Sequence, residues 1–331
     1  MNNYIPPYEI TDIMTNRISS IMKKIGKLDN YKDLNKMPTL RKNNRIKSIH
    51  SSLAIEANSL SFEQVKDVID GKIVIGPQDE IQEVKNAYDA YLKIQEVNPY
   101  SIKDLKKIHG IMTHLTVKES GKFRSGNEGV FDENGNCIHV CPPPEQVDTL
   151  MNQLFTWIES NKNKVHPLIL SSIFHYEFVF IHPFSDGNGR MARLWQNVIL
   201  SNWEPIFAYI PIESEIMKYQ DEYYASINKC NLVGSSTNFI EFMLKMIDEV
   251  LDRLIEGVNS QINQVSIYVS KLLNAMTFGV EYTTNELMEL LEMKSRVSFR
   301  ENYLVPAIEN GLIKMTHPDN PTSKNQKYYK D

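Results

Sequence analysis

The chain has 331 residues, 42% of them apolar, and a formal net charge of −5, enough apolar content for one large core or two smaller ones. That charge gives no overall attraction to nucleic acid or an anionic membrane, and no apolar run reaches the ~18 residues needed to span a bilayer. Three cysteines (Cys137, Cys141, Cys230) fit a reducing cytosol, and Met1–Ile10 carries no basic-then-apolar signal pattern, so a cytoplasmic location without membrane contact is expected.

Most of the chain reads at helical period. Ile10, Ile13, Met14, Ile18, Ile21, Met22 and Ile25 predict a first amphipathic helix. A second is expected from near Thr39 through Ile46 and Ile49 to Ile55. Ser61 with Gln64 three residues on predicts a capping box, with Gly71 as a stop. Helices follow over 81–95 and 101–115. Turn signals at Ser125-Gly126 and Asn134-Gly135 predict a short hairpin whose strands are Val130-Phe131 and residues 137–140, closed by a proline run. Cys137, His139 and Cys141 alternate along that second strand with no second ligand pair, which reads as strand and not as a metal site.

Further helices are expected over 147–159, 165–181, 188–201 and 219–229, then one long segment from 238 to about 276. The face of that segment carrying Phe239, Phe242, Met243 and Met246 reads as core or packing interface. The last fifty residues predict a helix from Thr284, a second over 294–310 ended by Gly311, and a strand, Pro-rich turn and strand: a winged-helix order.

The stretch FVFIHPFSDGNGRMARLWQ, Phe178 to Gln196, concentrates the chemistry. An apolar helix stops at His182, and another begins near Asn188. Gly187 and Gly189 allow close backbone approach, and the free amides of the second helix form an anion site. Arg190 and Arg193 share one face and add planar, permanent cations suited to phosphate. Two cations near a helix N-terminus oppose its dipole unless an anion sits there, which argues for a polyphosphate ligand. Asp186 is a hard oxygen donor for Mg²⁺ beside such a ligand. His182 titrates near neutral pH and can take a proton from an attacking hydroxyl.

These residues resemble the Fic family, whose signature H-x-F-x-[D/E]-G-N-G-R-x-x-R is matched at every fixed position by HPFSDGNGRMAR. The resemblance extends to the flap segment GKFRSGNEGV and its proline run, to the N-terminal hundred residues and to the C-terminal tail. It implies a mainly α fold: a Fic-type helical bundle with a short β-hairpin flap and a C-terminal winged-helix domain. The implied organisation is an N-terminal helical region over 1–95 with an inhibitory helix around 45–58, a catalytic core over 96–250, and a linker helix and winged helix over 251–331.

The implied activity is AMP transfer from ATP to a Ser, Thr or Tyr hydroxyl of a target protein and of the enzyme itself. His182 is then the base, Asp186 holds Mg²⁺, and Gly187, Asn188, Gly189, Arg190 and Arg193 hold phosphates. Phe184 anchors the loop, the flap holds the target by strand addition, and Tyr223, Tyr224 and Asn231 match nucleotide-pocket positions. Doc-type members, which are kinases, read G-N-K-R; Gly189 here favours AMP transfer.

Ser52 and Glu56 in SSLAIEANSL match the family's inhibitory motif [S/T]-x-x-x-E-[G/N], in which the glutamate pairs with the second arginine, Arg193 here; Ala57 replaces the Gly or Asn. The N-terminal position of this segment resembles class II members, which often form homodimers. Removal of AMP from modified targets, alone or alongside transfer, is the alternative activity. A DNA-binding regulator with a Fic sensor domain is the other. Over 283–331 seven basic residues meet seven acidic ones, which disfavours strong phosphate-backbone binding by the winged helix despite the cluster Lys294, Arg296 and Arg300.

Overall fold

A computed structural model describes residues 4–30, 38–131, 135, 137–309, 311–318, 320–321 and 323–330. Helices α1 (Asp12–Asn30), α2 (Pro38–Ile55), α3 (Phe62–Ile69), α4 (Gln78–Leu92) and α5 (Ile102–Met112) precede an antiparallel hairpin of β1 (Gly129–Phe131) and β2 (Cys137–Val140). Then come α6 (Pro144–Asn161), α7 (Pro167–Ile181), α8 (Asn188–Trp203), α9 (Ile212–Lys218), α10 (Gln220–Val233) and α11 (Thr237–Ala275). Met1–Arg253 form one compact unit and Leu254–Asp331 a second. Asn134, half of one expected turn, lies outside the described residues.

The first helix differs from its expected stripe. Met14, Ile21, Ile25 and Leu28 are buried, whereas Ile13 and Met22 are exposed and Ile10 precedes the helix. Ile13 and Met22 each sit one residue, about 100° of helix rotation, off the buried row. The helix is tied to α11 by Asp248, which accepts from Arg17 Nη1 at 2.8 Å, Ser20 Oγ at 2.7 Å and Lys24 Nζ at 2.6 Å. The capping box at α3 is formed in both directions between Ser61 and Gln64.

Two elements were not expected: a 3₁₀ turn over Pro205–Tyr209, and α9. Both are short, and α9 buries Glu213 and Glu215 alongside Ile212 and Ile216, so it shows no clean apolar period.

Helices α7 and α8 pack against each other at the centre of the first unit. Twelve of the fifteen residues of α7 are buried, so its polar groups must be satisfied inside. Ser171 and Ser172 bond back to the carbonyl of Leu168. His175 bridges Gln196 of α8 (2.6 Å) and the Tyr223 hydroxyl (2.9 Å). These bonds fix how α7, α8 and α10 meet, and thereby where the turn between α7 and α8 lies.

The second unit contains α12 (Thr284–Leu290), α13 (Arg296–Phe299), a π turn (Arg300–Leu304), α14 (Val305–Glu309) and a hairpin of β3 (Lys314–Met315) with β4 (Tyr328–Tyr329). The single helix expected over 294–310 is interrupted because Pro306 has no N–H to offer the carbonyl four residues back. Leu272, Leu287, Phe299, Leu304 and Ile313 form a core of this unit's own. No helix among the described residues is long and apolar enough to cross a membrane.

Phe299 is fully buried there. Phe299→Ala should cost about 3–5 kcal/mol. Hydrogen exchange on the whole protein should then speed up across 284–329 and stay unchanged across 167–203.

Candidate active site

The last turn of α7 ends at His182, a non-glycine residue held left-handed (φ 50°, ψ 61°). The chain reverses and α8 starts at Asn188 behind Gly187, whose φ of 79° is why glycine stands there. Asn188 staples the loop: its Oδ1 accepts from Phe184 N at 2.9 Å and its Nδ2 donates to Phe184 O at 2.7 Å. Phe184 is fully buried and stacks on His109 of α5 at 3.6 Å. His109 Nδ1 accepts from Gly121 N, so Nε2 carries the proton and donates to the Asp186 carbonyl at 3.0 Å. Burial lowers the pKa of His109 to about 4, so this peg is neutral.

The acid and the arginines meet at the start of α8. Asp186 is 57% exposed; its Oδ1 accepts from Gly187 N at 2.6 Å and its Oδ2 from Arg190 Nη2 at 3.1 Å. Arg190 also donates to Glu83 of α4 at 2.9 Å. Arg193, with a side chain 1% exposed, donates from Nε to Ser52 Oγ (3.1 Å) and from Nη2 to Ser52 O (2.9 Å) and Glu56 Oε1 (2.7 Å). Burial works most strongly against its charge, and Glu56 together with Tyr223 and Tyr224 outweighs it, holding the guanidinium above its ordinary pKa. Its Nη1 is buried without a hydrogen-bond partner.

Arg190 is paired with Glu83 and Asp186, and Arg193 with Glu56, so the chain's own carboxylates neutralise both cations in this structure.

Glu56 lies against the start of α8: a Cβ built on Gly189 would stand 2.3 Å from Glu56 Oε1. The α2 terminus that carries it is a Schellman turn, with Asn58 N bonded to Leu53 O and Ala57 N to Ala54 O. Ala57 occupies the left-handed position of that turn (φ 66°). Gly or Asn suits such a backbone, which is the physical reason the inhibitory motif asks for them there.

Tyr223 is buried with its hydroxyl on His175, and Tyr224 reaches Ile55 O at 3.5 Å. Asn231 does not join the arginine cluster; it accepts from Tyr176 at 2.9 Å. His182 is largely enclosed, and burial lowers its pKa below the ordinary 6.5. Glu83 and His109 were not singled out by the sequence. They come from α4 and α5 and touch the loop only through tertiary packing.

A helix start with two buried arginines, an exposed carboxylate beside it and a histidine at the preceding helix end define a helical protein with a candidate phosphate-handling site. The Fic/DOC family model matches residues 99–200, and a model described as "Filamentation induced by cAMP protein Fic-like, C-terminal domain" matches 268–329. A crystal structure of a Fic family protein from Desulfovibrio desulfuricans G20 superposes with a TM-score of 0.74 at 41% identity, covering 99% of this chain and 98% of that one. The chain belongs to the Fic family. A "Protein adenylyltransferase Fic" of Nematostella vectensis is 32% identical over 216 residues, 62% of this chain and 47% of its own length. Its counterpart in Aedes aegypti is 29% identical over 62% of this chain and 41% of its own length. The chain thus spans about half the length of the curated relatives it matches.

The strain at Ala57 is testable. Replacing it with glycine removes about 1–2 kcal/mol of left-handed strain and adds roughly 0.4–1 kcal/mol of unfolded-state entropy. Ala57→Gly should therefore stabilise the folded protein by about 0.5 kcal/mol net, seen as a small rise in calorimetric melting temperature.

Proposed function

We propose that this protein transfers AMP from ATP to a hydroxyl of a target protein, and of itself, releasing pyrophosphate, and that Glu56 restrains the reaction. The observation that carries this reading is the 2.7 Å pairing of Arg193 with Glu56 at the amide-rich start of α8. A carboxylate placed there takes a position suited to a terminal phosphate, as the helix dipole, the buried arginine and its unpartnered Nη1 would favour.

On this reading the nucleotide's phosphates lie along the backbone of Gly187, Asn188 and Gly189, with Arg193 and Arg190 beside them. Tyr223, Tyr224 and Asn231 line the rest of the pocket. His182 accepts the proton of the incoming hydroxyl, the oxygen attacks the α-phosphorus, and the bond to pyrophosphate breaks. Burial keeps His182 neutral, the form a base needs.

The chemistry of the site fits Mg²⁺ held by Asp186, an exposed hard-oxygen donor. The described residues hold no group of three or more His, Cys, Asp or Glu that could ligate a metal, so phosphates and water would supply the remaining positions. When bound, the ion would offset charge building on the phosphates.

A target would lie along the flap, where β1 and β2 pair only with each other among the described residues. The free thiols of Cys137, Cys141 and Cys230 support a cytoplasmic setting.

Transfer of label from α-labelled but not γ-labelled ATP tests the reading against phosphoryl transfer. Glu56→Gly should raise self-modification above the parent, and His182→Ala in that background should lose roughly 10²–10⁴-fold. Unchanged labelling in the first variant removes Glu56 as the restraint, and retained labelling in the second removes His182 as the base. Because the histidine pKa is lowered, the acidic limb of the pH–rate profile should fall below pH 6.5.

A further inference from the structure

We infer that Arg124 is a positioning residue that sets the flap at a fixed distance from His182, so that a hydroxyl held on the flap meets the base; this rests on the proposed transfer reaction. Arg124 is 3% exposed, yet every acceptor it uses is a backbone carbonyl. Nε donates to His182 O at 2.7 Å, and Nη1 to Gly126 O at 2.7 Å. Nη2 donates to Pro142 O, with a longer reach of 3.5 Å to Ile181 O. The Arg124 backbone N–H also donates to Pro183 O at 2.9 Å.

These acceptors fall in three places. Gly126 lies just ahead of β1 and Pro142 just beyond β2, so two of them are the two stems of the flap. The rest belong to the end of α7 and the turn that follows it. The last carbonyls of a helix have no partner within the helix and present the negative end of its dipole, so a cation there is stabilised without a carboxylate. A guanidinium offers five donors in a rigid plane and can hold several carbonyls in one geometry; an ammonium of the same charge is a point donor and cannot.

His182 is the residue this matters for. It is held left-handed, a conformation costing about 1–2 kcal/mol for a residue with a Cβ. The bonds to its own carbonyl and to that of Pro183 pin the peptide that follows it. A second link, His139 Nε2 to Phe180 O at 2.8 Å, joins β2 to α7. The flap is thus attached to α7 at its stem and along its strand, and only the stem link reaches His182 itself.

The test uses the full-length Glu56→Gly protein as parent. ADP affinity is measured by calorimetry and self-modification with α-labelled ATP, for Arg124→Ala and Arg124→Lys. Both variants should bind ADP within about twofold of the parent, while kcat falls about 10²-fold, the cost of a misplacement near 1 Å. Millimolar guanidinium should recover part of the Arg124→Ala loss and none of the Arg124→Lys loss, whose ammonium fills the place. If Arg124→Ala does not fold, Arg124→Lys decides by the same split of affinity and kcat. Parent-level transfer in a folded variant, or a fall in ADP affinity matching the fall in rate, overturns the inference and leaves AMP transfer standing. A parent that transfers no AMP overturns the proposed function and this inference with it.

Discussion

A guanidinium 1% exposed near the start of a buried helix sets the terms for everything around it. Leaving such a charge unpaired costs about 3–5 kcal/mol, and the helix dipole adds to the penalty. Arg193 is met by the end of α2, which supplies Ser52 Oγ, Ser52 O and the Glu56 carboxylate. These acceptors are not equivalent. Ser52 is 2% exposed and fixed within α2, whereas the Glu56 side chain is 34% exposed and lies past the last helical turn. If Glu56 swings away, Arg193 keeps two neutral acceptors and lacks only a counter-charge. The carboxylate is thus the most exposed and least constrained of the three acceptors.

Buried polar pairs of the same kind run through the scaffold. Glu213, buried and with its pKa raised by that burial, accepts from Tyr91 of α4 and Asn197 of α8, both at 2.7 Å. His175 spans α8 and α10. Glu177 takes the hydroxyl of Tyr4 and has its pKa raised to about 7 by burial. Apolar packing alone would tolerate small sliding of one helix on another. Paired polar groups do not, because each lost bond leaves a buried donor or acceptor unsatisfied at about 1–3 kcal/mol. The loop between α7 and α8 inherits that rigidity, with Asn188 and His109 as its own internal ties.

How much of this was legible follows from where the information lies. The helices of the first unit read out because core positions repeat at 3.6 residues, and the loop chemistry because it is local, twelve consecutive residues from His182 to Arg193. The carboxylate on Arg193 was found through a second local motif. Glu83, His109 and Arg124 were given no role, since each lies in a segment with no pattern beyond its own helix or turn. Their partners are 107, 77 and 58 positions away. The extra α1 stripe residues and the unbroken helix over 294–310 were misread for a related reason: periodicity reports which residues can be buried, not which face the neighbours cover, and it does not register the donor missing at Pro306.

Ala57 puts strain into the turn that carries Glu56. The Schellman turn that presents Glu56 requires a left-handed residue at position 57, and here that residue bears a Cβ. The strain of about 1–2 kcal/mol is present while the turn is closed and relaxes when it opens. Net of the backbone freedom a glycine would gain on opening, about 0.5 kcal/mol separates Ala57 from a glycine here, roughly a factor of two in the population of the closed turn. Asn58 works in the other direction. Its Nδ2 donates to Glu83 Oε2 at 2.9 Å, and Glu83 in turn pairs with Arg190, so the segment after Glu56 is held to Arg190 through one carboxylate. The turn thus carries one strained torsion, and the Glu56 pair with Arg193, the Ser52 bonds and the Asn58–Glu83 bond together hold it in place.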